Sequence, residues 1–222
     1  EHRERVLEQL RLLVAEGDVL RAFPAELGGA DDHGGSLARF EEVLTADPSL
    51  QIKAGVQWGL FASAILHLGT EDHHRRLLRC AMALEVPGSF AMTEIGHGSD
   101  VASIATTATY DPETEEFVIH TPYRAAWKEY LGNAAKHATA AVVFAQLVTK
   151  GVNHGVHAFY VPIRDPRTGE FLPGVTGEDD GLKGGLNGVD NGRLAFDHVR
   201  VPRRDLLNRY GDVAPDGTYT SP

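Results

Sequence analysis

The sequence predicts an α+β fold, with an N-terminal helical domain followed by an antiparallel, β-barrel-like middle domain. Three observations carry this reading. Before Pro87 apolar residues recur at helical spacing, and after it β-branched and aromatic residues alternate between turn signals. Helices and strands do not alternate along the chain, which argues against a doubly wound parallel sheet. The boundaries expected are 1–86 for the helical domain, 87–208 for the β domain, and 209–222 for a loop leading onward.

Val6, Leu7, Leu10 and Val14 form an apolar stripe on a first helix, closed by Gly17 and Pro24. Ser36 is placed to cap a second helix carrying Leu37, Phe40 and Leu44, and Pro48 stops it. Leu50 to Leu68 is apolar nearly all round, as a buried helix requires. Thr70 caps a fourth helix with Leu77, Leu78 and Ala81 facing inward. In the second half, residues 106–110 and 116–120 read as strands around an Asp111-Pro112 turn. Ala140 to Val148 and Val156 to Ile163 are longer strands separated by a loop over 149–155. Asp165-Pro166-Arg167-Thr168-Gly169 is another turn, Arg193 to Val201 reads as one final strand, and 211–217 as a loop.

The 222 residues suffice for one large domain or two small ones, and 42% hydrophobic with 23% charged residues is ordinary globular usage. A formal charge of −10 argues against binding duplex nucleic acid. No apolar run approaches the roughly 18–20 residues that span a bilayer. No signal peptide is legible at the charged start Glu1-His2-Arg3-Glu4-Arg5. The single cysteine, Cys80, fits a reducing compartment, so a cytoplasmic location is expected.

Several chemistries lack their signatures. His154-x-x-His157 and His73-His74 are the closest histidine pairs, but no zinc framework surrounds either, so no metal site is expected. Glu178-Asp179-Asp180 reads as a solvated acidic turn, without the spaced oxygens of a calcium loop. Gly96-His97-Gly98-Ser99-Asp100 has the wrong order for a nucleophile elbow. The glycines of 181–188 match no phosphate loop and serve turns between strands. One segment stands apart. Phe90 to Asp100 combines an apolar entry, Thr93 beside Glu94, and a flexible Gly96-to-Ser99 stretch whose backbone can approach a planar polar ligand.

That segment resembles the flavin-contacting loop of the acyl-CoA dehydrogenase and acyl-CoA oxidase superfamily, with its Thr-Glu-x-Gly-x-Gly-Ser-Asp pattern. The likeness continues in register through Thr106 to Pro112, Phe117 to Pro122, Asn133 to Ala138, Val143 to Leu147, His157 to Arg164, and Leu186 to Arg203. Asp190-Asn191-Gly192 is more like the oxidases than the dehydrogenases. It is strong over 86–208 and weaker over the N-terminal helices.

The resemblance implies FAD as cofactor and α,β-desaturation of acyl-CoA thioesters, as in fatty-acid β-oxidation, with homo-oligomers in the full-length protein and a peroxisomal location if the source is a eukaryote. It implies cofactor contacts from Thr93, Gly98, Ser99, Tyr130 and Gly132, with Ser99 also near the substrate thioester. Tyr130-Leu131-Gly132 stands where many relatives carry Trp-Ile-Ser/Thr, so Gly132 has only backbone to offer. The family's base, a glutamate, comes from a C-terminal helical bundle, so no catalytic residue is assigned in this chain. The expectation is therefore the N-terminal part of such an enzyme, inactive alone. The rival reading is a non-catalytic binding or assembly fragment that keeps the fold.

Overall fold

The computed structural model describes residues 1–221. Helix α1 (His2–Glu16) buries Val6, Leu7, Leu10 and Leu13, and Gly17 closes it at φ 80°, a left-handed conformation costly for a residue with a Cβ. Helix α2 (His33–Ala46) begins four residues earlier than the Ser36 cap predicts. Asp32 is the actual cap, its carboxylate accepting from the Gly35 amide at 2.8 Å. Pro48 opens the next helix rather than merely stopping α2. It occupies the first turn of α3 (Pro48–Ala54), where no amide proton is needed, and Asp47 caps that turn through the Ser49 amide.

α3 runs on through a π-helical stretch, Gly55–Ala62, into α4 (Ser63–Leu68). Most of this helix is buried, but Ile52 and Leu60 reach solvent, so it is less enclosed than its composition suggests. Thr70 caps α5 (Glu71–His73) as expected, and the helix continues through π-helical His74–Leu78 into α6 (Arg79–Met82).

The strands form a curled half-barrel. β1 (Gly88–Ala91), β5 (Ala140–Thr149), β2 (Thr107–Asp111), β3 (Glu116–His120) and β9 (Val199–Pro202) follow one another, and β6 (Val152–Pro162) pairs with β5. β4 (Lys128–Leu131), β8 (Gly192–Phe196) and β7 (Val175–Asp179) make a second sheet. Most pairings are antiparallel, but β1 and β2 each run parallel to β5. Both are joined to β5 through long connections, which leave strand direction free.

β5 is buried on both faces. Ala140, Val142 and Phe144 point into a core shared with the helices, while Ala141, Val143, Ala145 and Leu147 point into the core between the sheets. The helices therefore pack on one face of the six-stranded sheet, and the smaller sheet closes the other.

Three more expectations change in the β part. The loop 149–155 shrinks to a Lys150-Gly151 turn, because β6 starts at Val152. The single strand 193–201 is two strands with Asp197-His198 turning between them. The segment after Asn208 is not only loop: β10 (Asp212–Val213) pairs with β11 (Tyr219–Thr220), and Val213 is fully buried. Leu37, Phe40 and Leu44 of α2 stand exposed, and Leu37 and Phe40 help line an apolar cavity of about 250 Å3 with Leu13, Phe23 and Trp58. No helix is long and apolar enough to cross a membrane among the described residues.

Candidate functional site

β1 delivers the chain directly into the segment singled out in the sequence. Residues 93–96 then run along β4 and its approach. The Glu129 amide donates to Thr93 O at 2.9 Å, the Ile95 amide to Trp127 O at 3.0 Å, and the Gly96 amide to Ala125 O at 2.8 Å. Glu94 and His97 exchange backbone hydrogen bonds at 3.0 Å, which turns the chain back and carries Gly98 and Ser99 into solvent.

Beneath this turn sits a buried ion pair. Lys128 Nζ lies 3.1 Å from Glu94 Oε1, and neither side chain reaches solvent. Glu94 also accepts from the Ala105 amide at 2.8 Å, the Thr106 amide at 3.0 Å and the Thr106 hydroxyl at 2.6 Å. Lys128 donates to Met92 O at 3.0 Å and Phe144 O at 2.7 Å. Burial pushes the Lys128 ammonium down to about 8. Burial alone would raise the Glu94 carboxyl, but Lys128 and the three donors hold it below its ordinary value. The pair ties the loop, β4 and β5 together, so the outer face of the loop is held from behind.

That outer face offers donors without partners. The Thr93 hydroxyl, the Gly98 and Ser99 amides and the Ser99 hydroxyl make no hydrogen bond among the described residues. At the end of β4, Tyr130 is 57% exposed and adopts φ 56°, with its carbonyl accepting from Asn191 Nδ2 at 3.0 Å. Gly132 is glycine for a packing reason: a Cβ there would lie 2.5 Å from Val56 Cγ2 on the π-helical stretch. Its carbonyl accepts from Ser89 Oγ at 2.8 Å, so the end of β4 is fastened to β1.

A second buried network holds this strand end to the helices. Lys53 Nζ donates to Asn133 Oδ1 at 2.6 Å and to Asp190. Asn133 in turn donates to Gly88 O at 2.8 Å. Asp190 Oδ2 accepts from the Lys136 and His137 amides, both at 2.9 Å. Burial alone would raise the Asp190 carboxyl, yet the His137 ring and the Lys53 ammonium keep it well below the carboxylate range. Lys53 was legible only as a lone cation in an apolar helix. Lys128 carried no signal, since β4 is short and bulged between Lys128 and Leu131.

The remaining titratable groups singled out in the sequence are occupied within the fold. The His73 ring accepts from the Thr70 amide at 3.0 Å and lies 3.0 Å from Arg204 O, while His74 Nε2 lies 2.9 Å from Leu66 O. His157 meets Tyr219 OH at 2.9 Å, and His154 stacks on the same tyrosine. Glu178 and Asp179 are exposed, as a solvated acidic segment should be, but they are strand rather than turn. They end β7 and pair with Arg124 and Arg3.

Residues 89–199 match the family model described as acyl-CoA dehydrogenase, middle domain. The chain is 50% identical over 227 aligned residues to the peroxisomal acyl-coenzyme A oxidase 2 of Arabidopsis thaliana, covering 100% of this chain and 32% of that protein. Human peroxisomal acyl-coenzyme A oxidase 3 is 50% identical over 177 residues, covering 79% of this chain and 25% of that one. Among solved structures, acyl-CoA oxidase 3 of Yarrowia lipolytica superimposes with a TM-score of 0.89 at 35% identity, over 100% of this chain and 31% of its own. Acyl-CoA oxidase-1 of Caenorhabditis elegans, solved with FAD and ATP, gives 0.74 at 33% identity, over 100% of this chain and 36% of its own. The chain spans about a third of the length of the relatives it matches in full. With residues 89–199 matching the middle-domain model and the whole of this chain superimposing on part of an acyl-CoA oxidase structure, the chain belongs to the acyl-CoA dehydrogenase and acyl-CoA oxidase family.

Proposed function

We propose that the protein of which this chain is a part is an FAD-dependent acyl-CoA oxidase that desaturates acyl-CoA thioesters between the α and β carbons. One observation carries the reading: unpartnered donors at Thr93, Gly98 and Ser99 lie on the loop that pairs through Thr93 with β4, the strand that carries the exposed Tyr130. An isoalloxazine has carbonyl and ring-nitrogen acceptors in one plane and a pyrophosphate beyond it, so this donor set fits FAD. When bound, the flavin supplies the acceptor for the hydride leaving the β carbon.

The residues of this chain bind and orient. Thr93 donates its hydroxyl to an acceptor of the ring, and Tyr130 offers an aromatic face beside it. Gly98 and Ser99 donate amides to the pyrophosphate, with Ser99 also facing the thioester. Hydrogen bonds to the thioester carbonyl stabilise the negative charge that develops when the α-proton leaves. Gly132 contributes backbone only. No residue here is assigned as the base that takes the proton. Acyl-CoA as substrate and a peroxisomal location belong to the same proposal, supported by relatives named as peroxisomal acyl-CoA oxidases, and a homo-oligomer of the full-length protein belongs to it on the family resemblance alone. So does the division into a helical part (1–86), a β part (87–208) and a connecting segment (209–222).

The test is Thr93→Val in a protein of the relatives' full length. Loss of one hydrogen bond should weaken flavin retention or slow flavin reduction by about three- to ten-fold, with His154→Ala as an unchanged control. The 222-residue chain alone should hold FAD weakly and oxidise no acyl-CoA measurably. A full-length enzyme indifferent to Thr93→Val overturns the flavin assignment, and turnover by the isolated chain overturns the division of labour.

A further inference from the structure

His120 ends β3, and Asp197 with His198 makes the turn between β8 and β9. The antiparallel ladder pairs Ile119 with Val199, so its next step sets His120 across from His198. The two imidazoles stack with centroids 4.1 Å apart at 27°. The backbone beneath them is fixed by the Thr121 amide donating to Phe196 O at 2.7 Å and the Asp197 amide to Gly174 O at 2.8 Å. His198 adopts φ 53°, which bends the chain so that consecutive side chains, Asp197 and His198, gather at one point with His120.

Asp197 Oδ1 lies 2.7 Å from His198 Nδ1 and 3.7 Å from His120 Nδ1. One ligand atom from each residue falls within 4.8 Å of the others. Metal–ligand bonds of about 2.0–2.1 Å in a tetrahedral site set ligand atoms about 3.3 Å apart. The two measured edges bracket that spacing, and a swing of the rings out of their stack closes the third. His120 Nδ1 is out of reach of solvent and makes no hydrogen bond among the described residues. A buried nitrogen without a partner is costly, and ligation would satisfy it.

We infer that His120, Asp197 and His198 bind a first-row divalent transition ion of the Zn2+ class, through two imidazole nitrogens and one carboxylate oxygen. Two nitrogens and one oxygen select such an ion over Mg2+ or Ca2+, which take all-oxygen shells. Three protein ligands leave the fourth position to water. The ion clips the end of β3 to the β8–β9 turn.

The experiment titrates Zn2+ into the chelator-treated 222-residue chain by calorimetry, with Co2+ as a visible-absorption probe of four-coordinate geometry. One equivalent should bind. Removing even an outer-shell partner of a metal site costs about 10–100-fold in affinity, so Asp197→Asn, His198→Asn and His120→Gln should each cost at least about ten-fold. Asparagine at 198 tolerates the positive φ. Asp197 and His198 are 82% and 67% exposed at their side chains, so these two variants report even where His120→Gln fails to fold. Saturating Zn2+ should raise the thermal midpoint of the wild type and leave that of His198→Asn unmoved. His154→Ala should bind as the wild type does. Absence of stoichiometric binding, affinity unchanged in Asp197→Asn and His198→Asn, or affinity lost in His154→Ala overturns the site.

Discussion

Replacing Glu94 by glutamine tests the idea that a buried charge pair holds the flavin-facing loop in place. The substitution conserves shape and removes one charge. Oε1 now accepts from Thr106 and Lys128, and Oε2 accepts from the Ala105 amide. A glutamine keeps one of these oxygens, and its amide nitrogen turns a donor toward a donor at the other. Lys128 is left fully buried with two backbone carbonyls and no anion. At 3.1 Å and an effective dielectric of about 20, the lost attraction is about 5 kcal/mol. Breaking one side of a buried pair costs about 3–5 kcal/mol in comparable cases. Set against a total stability of about 5–15 kcal/mol, that is a large share of what holds the chain folded. Urea unfolding followed by far-UV circular dichroism measures it directly. Lys128→Met should also destabilise, and the double variant should lose less than the sum of the singles, by about 0.5–3 kcal/mol. A loss under about 1 kcal/mol for Glu94→Gln, or strict additivity in the double variant, refutes the reasoning.

Two further outcomes follow from the packing and the buried histidines. Gly132→Ser places a Cβ 2.5 Å from Val56 Cγ2 and should destabilise by about 1–3 kcal/mol, with Val56→Ala recovering part of the loss; a fully stable Gly132→Ser alone would show that the helix yields. His73 is 2% exposed, and burial lowers its pKa below the ordinary 6.5, with His157 shifted the same way. The folded state then binds fewer protons than the unfolded state, so the thermal midpoint should fall as pH drops below about 6.5. His73→Gln should flatten that slope, and a midpoint that rises toward acid contradicts the assignment.

What was legible in the sequence was what is decided locally. Helical spacing in the first helix and the apolar run 140–148 survive in the structure because each reflects which sides of one element meet the core, one stripe for α1 and both faces for β5. The 111–115 turn was legible because Asp and Pro shape their own backbone, and the Asp111 side chain does accept from the Glu113 amide. The loop motif around Thr93 could be read because glycine and hydroxyl spacing is itself local.

The errors mark where neighbours take over. Across 193–201 the apolar phase moves from Leu194 and Phe196 to Val199 and Val201, which one continuous strand cannot keep on a single face, and His198 turning left-handed between them splits the strand. β4 has too few residues to show a period, and its place is set by β8 and by the Thr93 loop. Asp32 won the cap of α2 over Ser36, and Arg21 lies 3.1 Å from that carboxylate. Lys53 and Asp190 stand 137 residues apart, His120 and His198 stand 78 apart, and no spacing rule connects either pair. An isolated lysine in an apolar helix is unfavourable by itself. Only the folded chain brings the anion that makes its burial tolerable, because compensation of a buried charge depends on distance in space rather than along the sequence.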